Sequence, residues 1–370
     1  MDPSFVIAGR LRRDYLLPPA YAGTGTTTQG RPLIDVPGGD LLYAAAGLDV
    51  WCHAGTGTTS PRAGTGTTSP RAGTGTTSER RIGLLARVGE DYPNDWLRSF
   101  EKCGWDTRGI HILAEALDLR YFQANLPGQM VQHSNPVPHF ARLGLPYPKS
   151  LLGYQPPVDT DNDCKASNPA SPRPADIPPD YLYAHAVHLC PLDYLTVIRL
   201  TSTFRQASVT ILTLDPSAAY MIATTLDEMR VLLQGLTAFL PSEEELRALF
   251  WGRTDDLWEM VEALGNFGCE FIVVKRGARG QMLYDSISKK RWEIPAYPAH
   301  LVDPTGAGDS FCGGFLAGYQ QTYDPLRGVL YGSVSASLTI EGSGVFHALE
   351  SLPGLAQARL DSLVGIARQI

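Results

Sequence analysis

The chain lacks any run of apolar residues approaching the roughly 18 needed to span a bilayer. It also lacks an excess of positive charge. Lys and Arg number 31 against 38 Asp and Glu, a formal net charge of -7, so the electrostatic footprint of a nucleic-acid binder is missing. Cysteine is sparse: Cys52, Cys103, Cys164, Cys190, Cys269 and Cys312 are scattered, with no CxxC pair. With no signal-like N-terminus beside them, they read as reduced thiols of a cytoplasmic protein. Two phosphate-binding signatures are absent as well. No G-x-x-x-x-G-K-[ST] occurs, which excludes a P-loop enzyme. Phe311 stands where a dinucleotide fingerprint starting at Gly306-x-Gly308 needs its third glycine.

What the chain does have is a dense run of small residues, Asp303-Pro-Thr305-Gly306-Ala307-Gly308-Asp309-Ser-Phe311-Cys-Gly-Gly-Phe315. Phe311, Phe315, Leu316 and Tyr319 recur at helical spacing, so the glycines stand at a helix start. Gly306 and Gly308 permit a tight turn and leave no side chain over the amides. Free N–H groups and the positive end of the helix dipole make an anion site there. Asp309 puts a carboxylate beside that site. A carboxylate next to an anion cradle can take a proton from a hydroxyl while the cradle holds a phosphoryl group in transfer.

Along the chain, residues 4–9 read as a buried first strand. Asp14 lies just past its end, where open α/β sheets place ligand groups. Gly38 and Gly39 precede a helix over 41–50. Asp40 falls in the first turn, where a carboxylate also serves as a plain cap. Residues 54–80 repeat AGTGTTSPR with a nine-residue period, and a partial copy begins at Ala22. The unit has no large apolar side chain and cannot bury a core, so it reads as a surface insertion. Residues 155–180 are rich in Pro, Asp, Asn and Ser and read as a long loop.

From 181 onward strands (181–189, 209–214, 236–240, 271–275) alternate with helices (191–207, 225–234, 256–265), which argues a mostly parallel sheet with helices on both faces. His185 and His188 fall on opposite faces of the first of these strands, against a shared metal. Ser242 is a natural N-cap with Glu245 at N3, a capping box. The glycines of Lys275-Arg-Gly277-Ala-Arg-Gly280 suit positive φ before a hairpin, 281–284 with 291–294. Gly328–Thr339 reads as a small-residue helix, and 353–369 as an amphipathic terminal helix.

The G-A-G-D run, with D-P-T before it and S-F-x-G-G-F after it, resembles the C-terminal signature of the ribokinase-like, or PfkB, carbohydrate kinases. The Gly38-Gly39 pair is similar to that family's N-terminal signature. Val88-Gly-Glu-Asp91 and K-x-G-x-x-G at 275–280 match in order. The resemblance covers most of the chain outside the repeats and the 155–180 loop. It implies a single α/β/α sandwich domain over 1–370 with a small β lid from about 11–36 and 110–150.

The resemblance further implies ATP-dependent phosphoryl transfer to a hydroxyl of a sugar or sugar-like molecule. Asp309 would be the general base. Gly306, Ala307, Gly308 and the Asp309 amide would form the anion hole. Asp14, Gly38, Gly39 and Asp40 would bind the acceptor. Lys275, Gly277, Gly280, Thr305 and Ser333 would contact ATP. Glu245 would sit in the outer shell of Mg2+, although Ser242 replaces the asparagine of the family's N-x-x-E. Asp303, with Thr305, would touch a monovalent cation such as K+.

Arg120 is a candidate substrate contact, with a surface salt bridge as the plainer reading. Similar kinases often pair through their lids, so a homodimer is among the expected states. Two alternatives stay open. A nucleoside kinase of the same superfamily would need an aromatic stack for the base. A non-catalytic ligand-binding relative would have no reason to keep G-A-G-D.

Overall fold

The computed structural model describes residues 2–18, 30–52, 82–125, 131–156, 167–207 and 209–370. The nine-residue repeats, Cys164 and most of the partial copy from Ala22 lie outside them. In chain order the strands are β1 (Phe5–Ala8), β2 (Arg12–Leu17), β3 (Leu33–Gly38), β4 (Ile82–Val88), β5 (Asp106–Ile112), β6 (Arg120–Ala124), β7 (Ala186–Leu189), β8 (Ile211–Leu214), β9 (Ala238–Phe239), β10 (Phe271–Lys275), β11 (Gln281–Asp285), β12 (Arg291–Ile294) and β13 (Arg368–Gln369). The helices are α1 (Asp40–Cys52), α2 (Asn94–Lys102), α3 (Val137–Arg142), α4 (Tyr194–Gln206), α5 (Met229–Leu233), α6 (Glu243–Leu249), α7 (Leu257–Gly265), α8 (Ala307–Thr322), α9 (Pro325–Ile340) and α10 (Leu355–Leu363).

One ten-stranded sheet runs in the order β13-β12-β11-β10-β9-β8-β7-β1-β4-β5. Every pairing from β10 to β5 is parallel. β11, β12 and β13 extend it antiparallel. The central strands are apolar on both sides because both faces are covered. Phe5 and Ile7 enter one core with α1, α8 and α9. Val6 and Ala8 enter the other with α4, α6 and α7. The result is a three-layer α/β/α sandwich.

Glycine lets the two helices beside the site approach closely. A Cβ on Gly47 would stand 2.2 Å from the Ser310 carbonyl oxygen, and one on Gly313 would stand 1.9 Å from that of Ala44. Gly306 meets Tyr43 and Ser310 meets Gly47, so α1 and α8 run side by side in the same direction. Both N-termini therefore open on one end of the sheet.

Three strands outside the main sheet, in the order β3-β2-β6, form a small second sheet. Tyr15, Leu17, Phe122, Ala124, Phe140 and Leu151 give it its own core. Strand alternation then turns Arg12 and Asp14 to its opposite face.

Several sequence expectations need correction. The lid range of 110–150 takes in the end of β5, which belongs to the main sheet. Residues 179–183 form a 3-10 turn, so the strand expected over 181–189 is only Ala186–Leu189; Pro178 and Pro179 prevent an earlier start. The described part of the 155–180 loop is tied down. Arg87 donates to both oxygens of Asp176, at 2.6 and 2.8 Å, and Tyr181 is buried. The terminal helix stops at Leu363, and Gly365, at φ 96°, turns the chain into β13 instead.

Candidate active site

The parallel strands end together, and the loops after them carry the chemistry, as the geometry of open α/β sheets leads one to expect. Helix α8 begins at Ala307 behind Gly306, whose φ of 74° is left-handed. A Cβ there would fall 2.1 Å from the Tyr43 ring, so both backbone and space require glycine. The N-cap side chain supplies no hydrogen bond. The Ala307 N–H donates to the Pro304 carbonyl at 3.2 Å, and no N-cap side chain takes up the amides that follow it, as an anion site needs.

Asp309 sits in this first turn, partly exposed. Its carboxyl is pushed well above the ordinary carboxylate range. Loss of water is the main cause; the charges of Asp40 and Asp215 add to it, and Lys275 and Arg12 oppose it.

Lys275, the last residue of β10, comes up from beneath. Its Nζ donates to Asp215 at 2.5 Å and stands 3.5 Å from where a Cβ on Gly308 would be. Burial works against its charge, but Asp215, Cys312 and Glu245 hold the ammonium protonated. Burial raises Asp215 to about 6, with Lys275 pulling the other way. Asp215 is not among the residues expected at the site. The signal available was its position, one residue past β8, equivalent to that of a residue following β1.

Asp14 reaches the start of α1 from β2. Its Oδ2 lies 1.8 Å from where a Cβ on Gly38 would stand, so Gly38 is what admits it. Gly39, at φ 104°, lies against the Arg10 carbonyl. Asp14 is 3% exposed, and its Oδ1 has no hydrogen-bond partner among the described residues. Burial raises it to about 7; Arg12 and the Gly39 N–H lower it, and Asp40 and Asp303 raise it.

Asp40 is differently placed. It accepts from the Arg10 backbone N–H at 2.7 Å and lies 3.6 and 3.8 Å from the guanidinium groups of Arg10 and Arg12. It ties the β1–β2 turn to α1.

The D-P-T segment is held from the lid. Thr305 donates to Asp303 at 2.6 Å and accepts from Gln123, on β6, at 2.8 Å. Asp303 is 1% exposed, and its Oδ2 has no hydrogen-bond partner among the described residues.

The remaining predicted residues divide. Gly277 and Gly280 both have positive φ, 55° and 82°, and make the turn into β11. The Ser333 hydroxyl accepts from the Tyr297 N–H at 3.4 Å, and the residue is 3% exposed. Glu245 completes the capping box: its Oε2 accepts from the Ser242 N–H and hydroxyl at 2.7 and 2.8 Å. Arg120 pairs with Asp118 and donates to the Ser150 and Leu152 carbonyls, away from the cleft. His188 bonds Thr213 and His185 meets Tyr323; among the described residues no cluster of three or more His, Cys, Asp and Glu side chains is placed to hold a metal ion. No described helix is long and apolar enough to cross a membrane.

Comparison with known proteins bears on this arrangement. Residues 172–352 match the sequence pattern of the pfkB family carbohydrate kinases. A cytidine kinase from Thermococcus kodakarensis is 26% identical over 246 residues, 65% of this chain and 74% of that protein. Among solved structures, an E. coli protein described as a ribokinase II, in complex with ATP and Mg2+, superposes with a TM-score of 0.65. It is 16% identical and the match covers 98% of this chain and 100% of that one. A nucleoside kinase from Burkholderia thailandensis, in complex with inosine, gives a TM-score of 0.60 at 15% identity, over 98% and 99%.

Proposed function

We propose that this chain, which belongs to the pfkB family of carbohydrate kinases and has the ribokinase fold, moves the γ-phosphoryl of ATP onto a hydroxyl of a sugar or sugar-like acceptor with Asp309 as the base. The observation that carries this is the position of Asp309. It stands in the first turn of α8, whose Gly306 packs on Tyr43 of α1, and α1 itself begins behind Gly38-Gly39 with Asp14 set against Gly38. The acceptor hydroxyl gives its proton to Asp309. The oxygen attacks the γ-phosphorus, and the bond to the β-phosphate oxygen breaks. Charge on the phosphoryl is met by the N–H groups at 306–309. Asp14 and the Gly38-Gly39 backbone orient the other hydroxyls. Lys275 adds a fixed positive charge under Gly308.

The residues fit the implied ions to different degrees. Mg2+ would neutralise the phosphates, with Glu245 as the nearest family-type ligand through water. Its Oε2 is already committed to Ser242. The buried, unpartnered Asp303 Oδ2 has the donor character a monovalent cation such as K+ would satisfy.

A nucleoside is the second reading for the acceptor, favoured by the cytidine kinase likeness over 65% of the chain. Its ribose would use the same hydroxyl contacts. The Tyr121 ring, however, already meets Arg12 at 4.3 Å and His133 at 5.2 Å, contacts with which a stacked base would have to compete.

Labelled ATP with pentoses, hexoses, inositols and nucleosides tests both readings. Asp309→Asn should lower turnover on the accepted compound by about 10²- to 10⁴-fold while ATP still binds. Undiminished turnover in that variant would remove Asp309 from its role.

A further inference from the structure

Arg12 is the cleft residue to which neither the family signatures nor the mechanism above gives a task. It alternates with Asp14 on the cleft face of β2. Its guanidinium carbon lies 4.3 Å from the centre of the Tyr121 ring. Tyr121, on β6, is the strand partner of Asp14, so the aromatic platform is built from the same sheet. The ion-pair partner of Arg12, Asp40, stands at 3.8 Å, beyond hydrogen-bond reach. The Arg12 side chain keeps 26% of its surface. Arg10 lies at a similar distance from Asp40, 3.6 Å, whereas Arg13 makes two short bonds to Asp35 at 2.9 and 2.7 Å. Arg12 thus holds a planar fork of donors, stiffened by stacking, that no described carboxylate engages in a hydrogen bond.

Such a fork matches an oxyanion, since two parallel N–H groups meet two oxygens. On the kinase reading the reaction itself supplies one. The anion that must enter this space is the phosphoryl passing from ATP. Asp40, beside Arg12, opens α1, whose Tyr43 packs against Gly306 at the start of α8, so the guanidinium lies on the side of the two helix starts.

We propose that Arg12 is a further catalytic residue, which grips the phosphoryl group from the acceptor side while the N–H groups at 306–309 hold it from the nucleotide side. This rests on the kinase reading and adds a second half to its anion hole. The two positive faces would flank the equatorial oxygens, where charge is spread during transfer.

The test uses the full-length protein with MgATP and measures ADP formation with cytidine, with ribose and with water alone as acceptor. The water reaction makes the readout independent of which acceptor is native. Arg12→Ala should lower kcat by about 10²- to 10³-fold in all three, somewhat below the range for arginines supplied to phosphoryl transfer. The KM for ATP and for the acceptor should move less than about threefold, since an interaction made only in the transition state leaves KM alone.

Arg12→Lys keeps the charge without the fork and should recover only part of the loss. Guanidinium added to the alanine variant should restore activity that an equal concentration of ammonium does not. Melting temperatures of the variants separate lost folding from lost chemistry. The proposal is overturned if the alanine variant keeps kcat within about threefold, or if the loss falls on the acceptor KM, which would make Arg12 a substrate-orienting group. If Asp309→Asn is inactive while Arg12→Ala is not, the grip fails and the base stands. If Asp309→Asn turns over and Arg12→Ala does not, the base fails and the grip stands.

Discussion

Helices α1 and α8 both begin behind a left-handed glycine, Gly39 and Gly306, and both carry an aspartate in the first turn. Asp40 is 5% exposed and is taken up by the Arg10 N–H and two guanidinium groups. Asp309 is partly exposed, and its charge is opposed by lost hydration and by other carboxylates. The same local pattern therefore yields an anchor in one place and a reactive group in the other. What differs is the supply of donors. The turn after β1 brings arginines to Asp40; the loop before α8 brings Asp303, Pro304 and Thr305 and no cation. A helix start does not make a catalytic acid or base. A helix start whose carboxylate is left without a donor can.

The largest effects come from breaking the two starts separately. Asp309→Asn should abolish most turnover yet leave the fold intact. Its folded pKa is raised above its unfolded value, so the ionised group costs stability as pH rises. The asparagine variant should therefore melt at the same or a higher temperature at pH 8. Asp40→Ala should do the reverse in stability. It strips the Arg10 N–H of its acceptor and two arginines of their counter-charge, at a cost of about 2 kcal/mol. Chemical denaturation of both proteins measures the contrast. Equal stability losses would mean that the two aspartates are not differently used.

Gly306→Ala comes next. The new methyl group would meet the Tyr43 ring and the backbone would leave its preferred region, a cost of about 1 to 3 kcal/mol. Activity should fall with it, because relief of the clash displaces the amides at 306–309. Gly308→Ala is the control. Its Cβ would be in ordinary contact, 3.5 Å from Lys275, so stability should change little. If both variants melt alike, tight packing against α1 is not what fixes this helix start.

Protonation distinguishes the two sides of the cleft. A base with a raised pKa is active only when it loses its proton, so kcat/KM should climb with pH through an ionisation above the usual carboxylate range. Asp14 gives a stability signature instead. Its pKa rises from 3.8 to about 7 on folding, so the folded state binds its proton more tightly. That contribution is fully present below pH 4 and is lost as pH rises through 7, at most about 4 kcal/mol. Asp14→Asn should remove this slope, seen by melting the two proteins from pH 5 to 8. A slope that persists would place its origin elsewhere.

Local chemistry made much of this legible before the fold was known. The glycine-led helix start, the capping box at Ser242 and Glu245, and the left-handed glycines at 277 and 280 each depend on residues within six positions of one another. Alternation of apolar runs gave the parallel sheet. Contacts between distant segments were not legible. Nothing near Asp40 in sequence says that Arg10 consumes it. Asp215 shows its value only beside Lys275, 60 residues away. The strand β13 was hidden because two residues pairing at an edge leave no periodicity. Thr305 looked like a site residue on its motif alone, while its bond to Gln123 came from the lid.

The smallest expected effect decides whether a cap and a ligand can be one residue. Glu245 accepts from Ser242 within the capping box, which fully accounts for the S-x-x-E spacing. Glu245→Gln keeps a side chain able to close the box but deletes the negative charge. Stability should change by no more than a few tenths of a kcal/mol. If the carboxylate also orders water around the metal, the Mg2+ concentration for half-maximal rate should rise several-fold. Ser242→Ala does the converse: it should cost about 1 kcal/mol of stability and leave the Mg2+ requirement near its starting value. Should Glu245→Gln shift neither quantity, the glutamate is a cap alone, and metal binding in this chain falls to the nucleotide's own phosphates.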